Sequence, residues 1–372
     1  MKLTFQKTAL LNGINIVLKA VPSKTTMPIL ECILIDASAV EIKLTANDME
    51  LGIETKVEGT ILEKGKIALD ARLFSEIIRK LSNEDSLVTI EADEKFNTTI
   101  TCENSVFKIQ GKDGEEFSYL PYIEKNKYVC LSQFSLKEII RQTIFSISAN
   151  DSNKMMTGEL FEVTGDSLKV VALDGHRMAI RKLSMKDTYE STKVIVPGKT
   201  LNEISKILTG DNEKEVLIFF GPNHILFEFD ETIVISRLIE GEYFKVDQML
   251  SNDYATKILI RRREFLDCIE RASILIREND KKPIILNIED TKMNLKLNSS
   301  FGTMNAEISV HKTGQDIMIG FNPKFLIDTL RIIDDEEITL YMMNPKSPCF
   351  IKNEDESYIY LILPVNFNSA TV

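Results

Sequence analysis

The chain has 372 residues, of which 44% are hydrophobic and 27% charged, and its net charge is −11. This length predicts two or three domains, each with enough apolar residues for its own core. The apolar runs are too short for a membrane-spanning helix, which needs about 20 residues. The N-terminal sequence also lacks the apolar stretch and cleavage site of a secretory signal. We therefore expect a cytoplasmic protein with no membrane partner.

Cysteine and histidine usage argues against a metal or disulfide protein. The five cysteines are odd in number, widely scattered and without a CxxC pair: Cys32, Cys102, Cys130, Cys268 and Cys349. Such a set disfavours a disulfide framework and a zinc site and indicates a reducing compartment. With three histidines in the chain, a multi-histidine centre is not expected, and we predict neither a metal nor a cofactor.

Two kinds of amphipathic helix each recur three times along the chain. The first kind covers residues 5–19, 134–145 and 261–277, and matching apolar pairs in these windows are 129 residues apart. The second kind covers residues 70–80, 197–207 and 322–331, in which Phe74, Leu201 and Leu326 correspond. Apolar residues three or four apart predict helices that pack by one face.

The segments between these helices have the texture of strands. Stretches such as LECILIDAS, EIKLTAND and NTTITCEN alternate apolar with polar residues and end at Gly, Asn or Asp. This pattern is typical of antiparallel hairpins. A period of about 125 residues indicates three copies of a whole α+β domain, each with two helices and about eight strands. We predict domains at 1–127, 128–253 and 254–372.

Charge is distributed unevenly along the chain, so the negative net charge alone does not describe its surface. A net charge of −11 taken alone argues against a nucleic-acid partner, because phosphates would be repelled. The six helical windows, however, contain 16 Lys and Arg against 8 Asp and Glu, whereas the remaining chain has 29 basic and 48 acidic residues. Positive charge is therefore concentrated on the helices.

The second kind of helix repeats a pair of cations seven residues apart, which places both on one face. The pairs are Arg72 and Arg79, Lys199 and Lys206, and Lys324 and Arg331. Such a face would bind phosphates without reading bases. The alternative is a solvated face with ordinary ion pairs, since an acidic residue lies within reach in each copy: Glu76, Glu203 and Asp328.

The segment Asp174-Gly175-His176-Arg177 invites an enzymatic interpretation, because an adjacent Asp and His can act as an orienting acid and a base. No nucleophile motif, Walker A loop, GxGxxG or metal-ligand spacing accompanies it. The alternative is a tight turn after a strand, with Arg177 buried or paired. The residues alone leave both interpretations open.

Four segments in combination resemble the β subunit of bacterial DNA polymerase III, the replicative sliding clamp, and the resemblance covers the whole chain. They are TMPILECILID (26–36), LTANDMELGIET (44–55), LFEVTGDSLKVVALDGHRMAIRK (160–182) and YLILPV (360–365). The resemblance implies a non-catalytic processivity factor: a head-to-tail homodimer ring of six domains whose twelve helices face duplex DNA without sequence preference. It also implies short peptide motifs through which the replicative polymerase, the clamp loader and repair proteins bind.

The resemblance further implies a peptide pocket between domains 2 and 3. Its residues would be Met156, Leu173, Gly175, His176, Arg177, Met178, Phe244, Met249, Leu361, Leu363 and Pro364. This chain departs from many relatives at Phe244, at Asn366 and in the extended end NFNSATV. These differences affect the expected depth and rim charge of the pocket.

Contacts to DNA and to the second subunit are implied in the same way. Lys24, Asn150 and Lys154 align with DNA-contacting loops and would join the six helix cations, although an ordinary solvated loop is the alternative. Phe107, Ile274 and Leu275 match the hydrophobic ring contact, with core packing as the alternative for Ile274. Two other functions stay open beside the clamp: a β-rich scaffold with solvated cations, and a hydrolase using Asp174 and His176.

Overall fold

The computed structural model describes residues 1–150, 152–277 and 282–367. Within these ranges the chain forms six α-helices: α1 (Lys7–Val17), α2 (Ala71–Lys80), α3 (Gln133–Arg141), α4 (Gly198–Ile207), α5 (Arg262–Ser273) and α6 (Pro323–Ile332). Each occupies one of the predicted helical windows. No helix in the described ranges is long and apolar enough to cross a bilayer.

Twenty-five β-strands account for most of the remaining described chain. They are β1 (Lys2–Gln6), β2 (Cys32–Asp36), β3 (Ile42–Asn47), β4 (Leu51–Val57), β5 (Thr60–Glu63), β6 (Lys66–Asp70), β7 (Leu87–Ala92), β8 (Asn97–Cys102), β9 (Ser105–Gln110), β10 (Lys112–Asp113), β11 (Tyr128–Ser132), β12 (Gly158–Leu173), β13 (Arg177–Pro197), β14 (Glu215–Phe220), β15 (His224–Phe229), β16 (Thr232–Arg237), β17 (Thr256–Arg261), β18 (Ile284–Glu289), β19 (Lys292–Ser299), β20 (Gly302–Ser309), β21 (His311–Gly314), β22 (Ile317–Phe321), β23 (Glu337–Met342), β24 (Cys349–Lys352) and β25 (Tyr358–Ile362).

The first compact unit comprises residues 1–137 and 199–238. It holds a five-stranded antiparallel sheet in the order β5-β1-β7-β8-β9 and a nine-stranded sheet in the order β10-β6-β2-β3-β4-β16-β15-β14-β11. Helices α1 and α2 contact each other. Their apolar faces supply fully buried residues, among them Leu10, Ile14, Phe74 and Ile78, so the helical periodicity is explained by burial on one side.

The second compact unit comprises residues 138–198 and the chain from 239 onward. It holds a seven-stranded sheet in the order β12-β13-β25-β24-β23-β17-β21 and a four-stranded sheet in the order β20-β19-β18-β22. Helices α5 and α6 contact each other and bury Phe265, Ile269, Leu326 and Leu330 in one apolar core with the strands.

The threefold repeat is visible in how the helices begin. Each helix directly follows a strand: β1, β11 and β17 precede the first kind of helix, and β6, β13 and β22 precede the second kind. Caps fix two of these starts, because Asp70 accepts a hydrogen bond from the Leu73 amide and Asn322 from the Lys324 amide. The α+β class with three repeated domains is confirmed. The boundaries predicted at 127 and 253 lie in the connectors before β11 and β17.

Candidate functional site

The segment Asp174–Arg177 forms the tight turn between β12 and β13. Asp174 Oδ1 accepts hydrogen bonds from the backbone amides of His176 (2.9 Å) and Arg177 (3.1 Å). Gly175 has a φ of +86°, which residues with a side chain rarely adopt. Glycine is the residue most favoured at the first central position of such a two-residue hairpin loop, so the DG pair favours this turn.

The Arg177 side chain stabilises this turn by ion pairs. Its side chain is 9% exposed, and its guanidinium contacts Asp174 Oδ2 through Nε (3.0 Å) and Asp328 Oδ2 through Nη1 (2.7 Å). The guanidinium also lies over the rings of Phe145 and Phe325, 5.3 and 4.8 Å from their centroids. Because the Asp174 carboxylate serves Arg177 and two backbone amides, it does not orient the His176 imidazole as a catalytic dyad would require.

A cavity of about 390 Å³ opens beside the turn within the second compact unit. Ten of the eleven predicted pocket residues line it: Met156, Leu173, Gly175, His176, Arg177, Met178, Phe244, Met249, Leu361 and Leu363. Pro364 is not among its lining residues. Pro348, in the loop between β23 and β24, is a lining residue that the sequence analysis missed. We call this cavity the second-junction groove.

Strand pairing sets the floor of the second-junction groove. Met178 of β13 lies opposite Leu361 of β25, and beyond that strand the Leu363 amide donates to the His176 carbonyl oxygen at 2.8 Å. Both Met178 and Leu361 are buried, whereas Leu363 and Met249 are 36% and 46% exposed. Apolar side chains left open around a concave floor are typical of a ligand site.

The connector after β16 forms the side of the groove through two aromatic residues. The Tyr243 ring packs edge-on against Phe244, with centroids 5.6 Å apart, and its hydroxyl donates to the Val171 carbonyl oxygen at 3.3 Å. Burial raises the pKa of Tyr243, so the hydroxyl stays a donor. Of the predicted departures, Phe244 lines the groove and Asn366 is exposed outside its lining set. Residues 368–372 of the extended end lie outside the described residues.

Glu159 is a buried acidic residue of the second unit that the sequence analysis missed. It lies at the start of β12, is 0% exposed, and its Oε1 has no hydrogen-bond partner among the described residues. The Thr143 hydroxyl lies 2.7 Å from the Ile139 carbonyl oxygen and 3.1 Å from Glu159 Oε2. Burial raises the pKa of Glu159 well above its usual range. Because a hydroxyl carries one hydrogen, a protonated Glu159 that donates to Thr143 satisfies both contacts.

The six repeated helix cations are all exposed: Arg72, Arg79, Lys199, Lys206, Lys324 and Arg331. Lys206 pairs with Glu203 at 2.7 Å, as the solvated-face alternative predicts. Asp328 does not pair with the cations of its own helix but with Arg177. Arg331 instead contacts Glu270 of α5 at 2.7 Å, and Lys199 contacts Asp48. Three of the six cations therefore pair with carboxylates, and the other three are exposed without a carboxylate partner among the described residues.

The predicted DNA-contacting loops are also exposed. Arg72 Nη2 donates to the Ser23 carbonyl oxygen at 3.3 Å, which brings the α2 cation beside the loop that carries Lys24. Asn150 and Lys154 are exposed, and Lys154 begins a short 3₁₀ helix, Lys154–Thr157. These polar side chains are therefore accessible from solvent.

The predicted subunit contact lies on exposed apolar residues. Phe107 belongs to β9, which ends the five-stranded sheet. Ile274 is 80% exposed, so the core-packing alternative for it is wrong, whereas Leu275 is partly buried against the core of the second unit. No group of three or more His, Cys, Asp or Glu suited to a metal occurs in the part of the chain that the structure describes.

Comparisons with known proteins cover the whole length. Family models described as the N-terminal, central and C-terminal domains of the DNA polymerase III beta subunit match residues 1–121, 130–245 and 247–366. The beta sliding clamp of Staphylococcus aureus is 35% identical over 376 residues, covering 98% of this chain and 99% of the relative.

Solved structures show the same similarity. A chain from Eubacterium rectale assigned to the DNA polymerase III beta subunit has a TM-score of 0.96 and 63% identity, covering 99% of this chain and 100% of the other. The DNA polymerase sliding clamp from Bacillus subtilis has a TM-score of 0.95 and 34% identity, with the same coverage. The chain therefore belongs to the DNA polymerase III beta subunit family, the beta sliding clamps, which are non-catalytic processivity factors of DNA polymerase.

Proposed function

We propose that two copies of this chain close head to tail into a ring around duplex DNA in the cytoplasm. The ring tethers the replicative polymerase, and in turn the clamp loader and repair proteins, by a short apolar peptide bound in the second-junction groove. DNA is held by enclosure and by contacts to phosphates, so base sequence is not read. This proposal rests on strand pairing: two junctions between repeated domains are paired within the chain, and the strands equivalent to a third junction each end a sheet.

Two joints between repeated domains have the same construction. The last strand of one three-stranded meander pairs with a hairpin strand of the preceding copy: β16 with β4, and β25 with β13. The counterparts at the third position are β9, which ends the β7-β8-β9 meander, and β20, which follows β19. In the described residues each of these two strands ends its sheet. Pairing β9 of one chain with β20 of a second chain completes the series.

The hairpin turns align the three copies residue by residue. Asp48, Asp174 and Ser299 each accept, through a side-chain oxygen, the amide of the residue two positions later. In the two formed joints Ile53 lies opposite Val234 and Ala179 opposite Tyr360. If the third joint keeps this register, Phe107 of one chain lies opposite Met304 of the next. Met304 and Leu275 pack against one core, which agrees with a hydrophobic contact there.

A cross-linking experiment tests the ring directly. Phe107→Cys with Met304→Cys should form a covalently closed dimer under mild oxidation, because the two positions face each other at the subunit joint. That dimer should stay on nicked circular DNA and leave after linearisation. The off-register pair Phe107→Cys with Glu307→Cys is the control. Equal cross-linking of both pairs, or retention that ignores linearisation, would contradict the ring.

A second experiment tests the groove. Leu363→Ser with Met178→Ser places hydroxyls where apolar anchors must bind, and a few desolvated anchors supply most of the affinity of a short peptide. The variant should dimerise and encircle DNA but fail to bind a polymerase-derived peptide in a fluorescence-anisotropy titration. Leu62→Ser with Met27→Ser, an exposed pair outside the groove, is the matched control. Normal affinity in the groove variant would place the partner site elsewhere.

A further inference from the structure

The first compact unit contains a junction built like the second-junction groove. Its turn, Asp48–Leu51, has the same hydrogen bonds: Asp48 Oδ1 accepts from the amides of Glu50 (3.0 Å) and Leu51 (2.7 Å). Met49 has a φ of +75°, close to the +86° of Gly175. Gly52 then lies opposite Ile235, as Met178 lies opposite Leu361. The floor of a docking groove is therefore repeated in the first unit.

In the first unit the equivalent floor, at Gly52, is covered by a side chain of the same protein. A Cβ placed on Gly52 would lie 2.1 Å from Leu120 Cδ2, so the Leu120 side chain sits directly on the glycine. Leu120 packs with a small apolar cluster formed by Ile123, Phe219, Leu226 and Ile235. It is only partly buried. We call this covered site the first-junction groove.

The connector that carries Leu120, residues 118–126, is held by side-chain contacts and not by backbone hydrogen bonds. Residues 118–126 neither donate nor accept a backbone–backbone hydrogen bond within the described chain. The flanking bonds are Phe117 amide to Gly114 carbonyl at 3.3 Å and Phe220 amide to Lys127 carbonyl at 3.4 Å. Side chains hold the intervening segment, including Tyr119, whose hydroxyl contacts Lys66 Nζ at 2.8 Å.

Open space lies beside the connector that carries Leu120. A cavity of about 590 Å³ is lined by connector residues, among them Ile123, and by Phe220, Pro222 and His224. Ile123 also belongs to the apolar cluster that Leu120 packs against. A connector that lost the Leu120 contact would therefore have room to move away from the floor at Gly52.

We infer that the first-junction groove is a second docking site for a short apolar peptide with a leucine-like anchor, kept closed by Leu120 of the chain's own connector. This inference goes beyond the proposed function, because it concerns a different pair of strands and does not depend on what the second-junction groove binds. It accounts for the closed state of this junction, although its strands and turn repeat those of the second-junction groove.

The probe is a fluorescent synthetic copy of residues 117–123, FSYLPYI. All titrations use the full chain with Leu363→Ser and Met178→Ser, so that the second-junction groove does not contribute. Adding Leu120→Ala should tighten binding of the probe at least tenfold and give one site per chain. The same peptide with alanine for leucine, FSYAPYI, should not compete. Leu62→Ala, the same truncation at an exposed leucine outside the groove, should leave binding weak.

Gly52→Ala gives an independent test, because its added methyl group occupies the position where a leucine anchor must lie. Adding it to the Leu120→Ala chain should abolish probe binding, and Leu120→Val, a smaller truncation, should open the site if the Leu120→Ala chain does not fold. Absence of saturable probe binding in a folded, dimeric Leu120 variant, or binding that Gly52→Ala does not reduce, would overturn the inference. Failure of the proposed function would appear separately, as unchanged binding of the polymerase-derived peptide to the Leu363→Ser, Met178→Ser chain.

Discussion

Arg177 Nη1 and Asp328 Oδ2 lie 2.7 Å apart, although 151 residues separate them along the chain. The pair joins the turn of the second-junction groove to helix α6, which also carries the exposed cations Lys324 and Arg331. Asp328 therefore holds Arg177, a lining residue of the groove, in place. It does so from the helix that we propose faces DNA.

Asp328→Asn should destabilise the fold and weaken peptide binding, because a charged hydrogen bond to a buried guanidinium is lost. Such bonds contribute about 1.5–3 kcal/mol. The control is Glu203→Gln, the repeat-equivalent change on α4, where the exposed pair with Lys206 contributes about 0–1 kcal/mol. Urea unfolding and a peptide titration measure both effects. Equal losses in the two variants would show that burial of Arg177 does not matter.

Ile274→Ala with Leu275→Ala should convert the dimer into monomers. Each truncation of an Ile or Leu buried at the joint costs about 2–5 kcal/mol, whereas Ile274 is exposed in the single chain and contributes little to its folding. Light scattering after size exclusion at sub-micromolar concentration gives the mass. Val40→Ala, an exposed residue outside the predicted joint, should leave a dimer. A dimeric double variant would mean that the joint is elsewhere.

Reversing Lys199, Lys206, Lys324 and Arg331 to Glu should weaken DNA retention at low salt without unfolding the dimer. The difference should shrink as ionic strength rises towards 0.15 M, where the screening length is about 8 Å. The control reverses four strand lysines, Lys56, Lys182, Lys193 and Lys292, and changes the net charge equally. If both sets reduce retention alike, total charge and not the helix face governs DNA binding.

Glu159→Gln should stabilise the protein more at pH 8 than at pH 5. Burial raises the pKa of Glu159 in the folded state, so the folded protein keeps a proton that the unfolded chain loses above about pH 4.3. Stability from this group is therefore complete below the unfolded pKa and falls as pH rises through the folded pKa. Glu162→Gln, on the same strand but partly exposed and paired with Lys169 and Lys193, is the matched control at both pH values. Thermal melts of both variants and the wild type at several pH values measure this effect. If the melting temperatures of wild type and Glu159→Gln change in parallel with pH, the raised pKa of Glu159 is contradicted.

The helices were predictable because their signal is local. Apolar residues recur every three or four positions, and caps such as Asp70 and Asn322 stand at the starts. The 21-residue strand β13 was not predicted, because its middle part, KLSMKDTYESTK, is polar and mostly exposed and therefore lacks an apolar alternation. Strand pairing with β12, a tertiary effect, holds it in place.

The second-junction groove was also difficult to predict, because tertiary contacts and not local patterns bring its residues together. Its residues came from the family resemblance, since single apolar residues such as Leu173 and Leu361 look like ordinary core in the sequence. Pro348 was missed because only the pairing of β23 with β24 brings its loop to the groove. Asp328 was interpreted as a local helix partner, whereas its real partner is distant in sequence. Nothing in the local sequence GELF indicates that the Glu159 side chain is fully buried, which raises its pKa.

The connector with residues 118–126 has a consequence for how the first unit is held together. The backbone ladder from Leu51–Ser236 to Thr55–Thr232 joins β4 to β16, and the Thr55 and Thr232 hydroxyls lie 2.8 Å apart at its end. None of these hydrogen bonds involves that connector. A chain cut by a protease at this exposed segment should therefore keep its nine-stranded sheet. The two pieces, expressed separately, should reassemble by strand pairing, so covalent continuity at this point is dispensable for the fold.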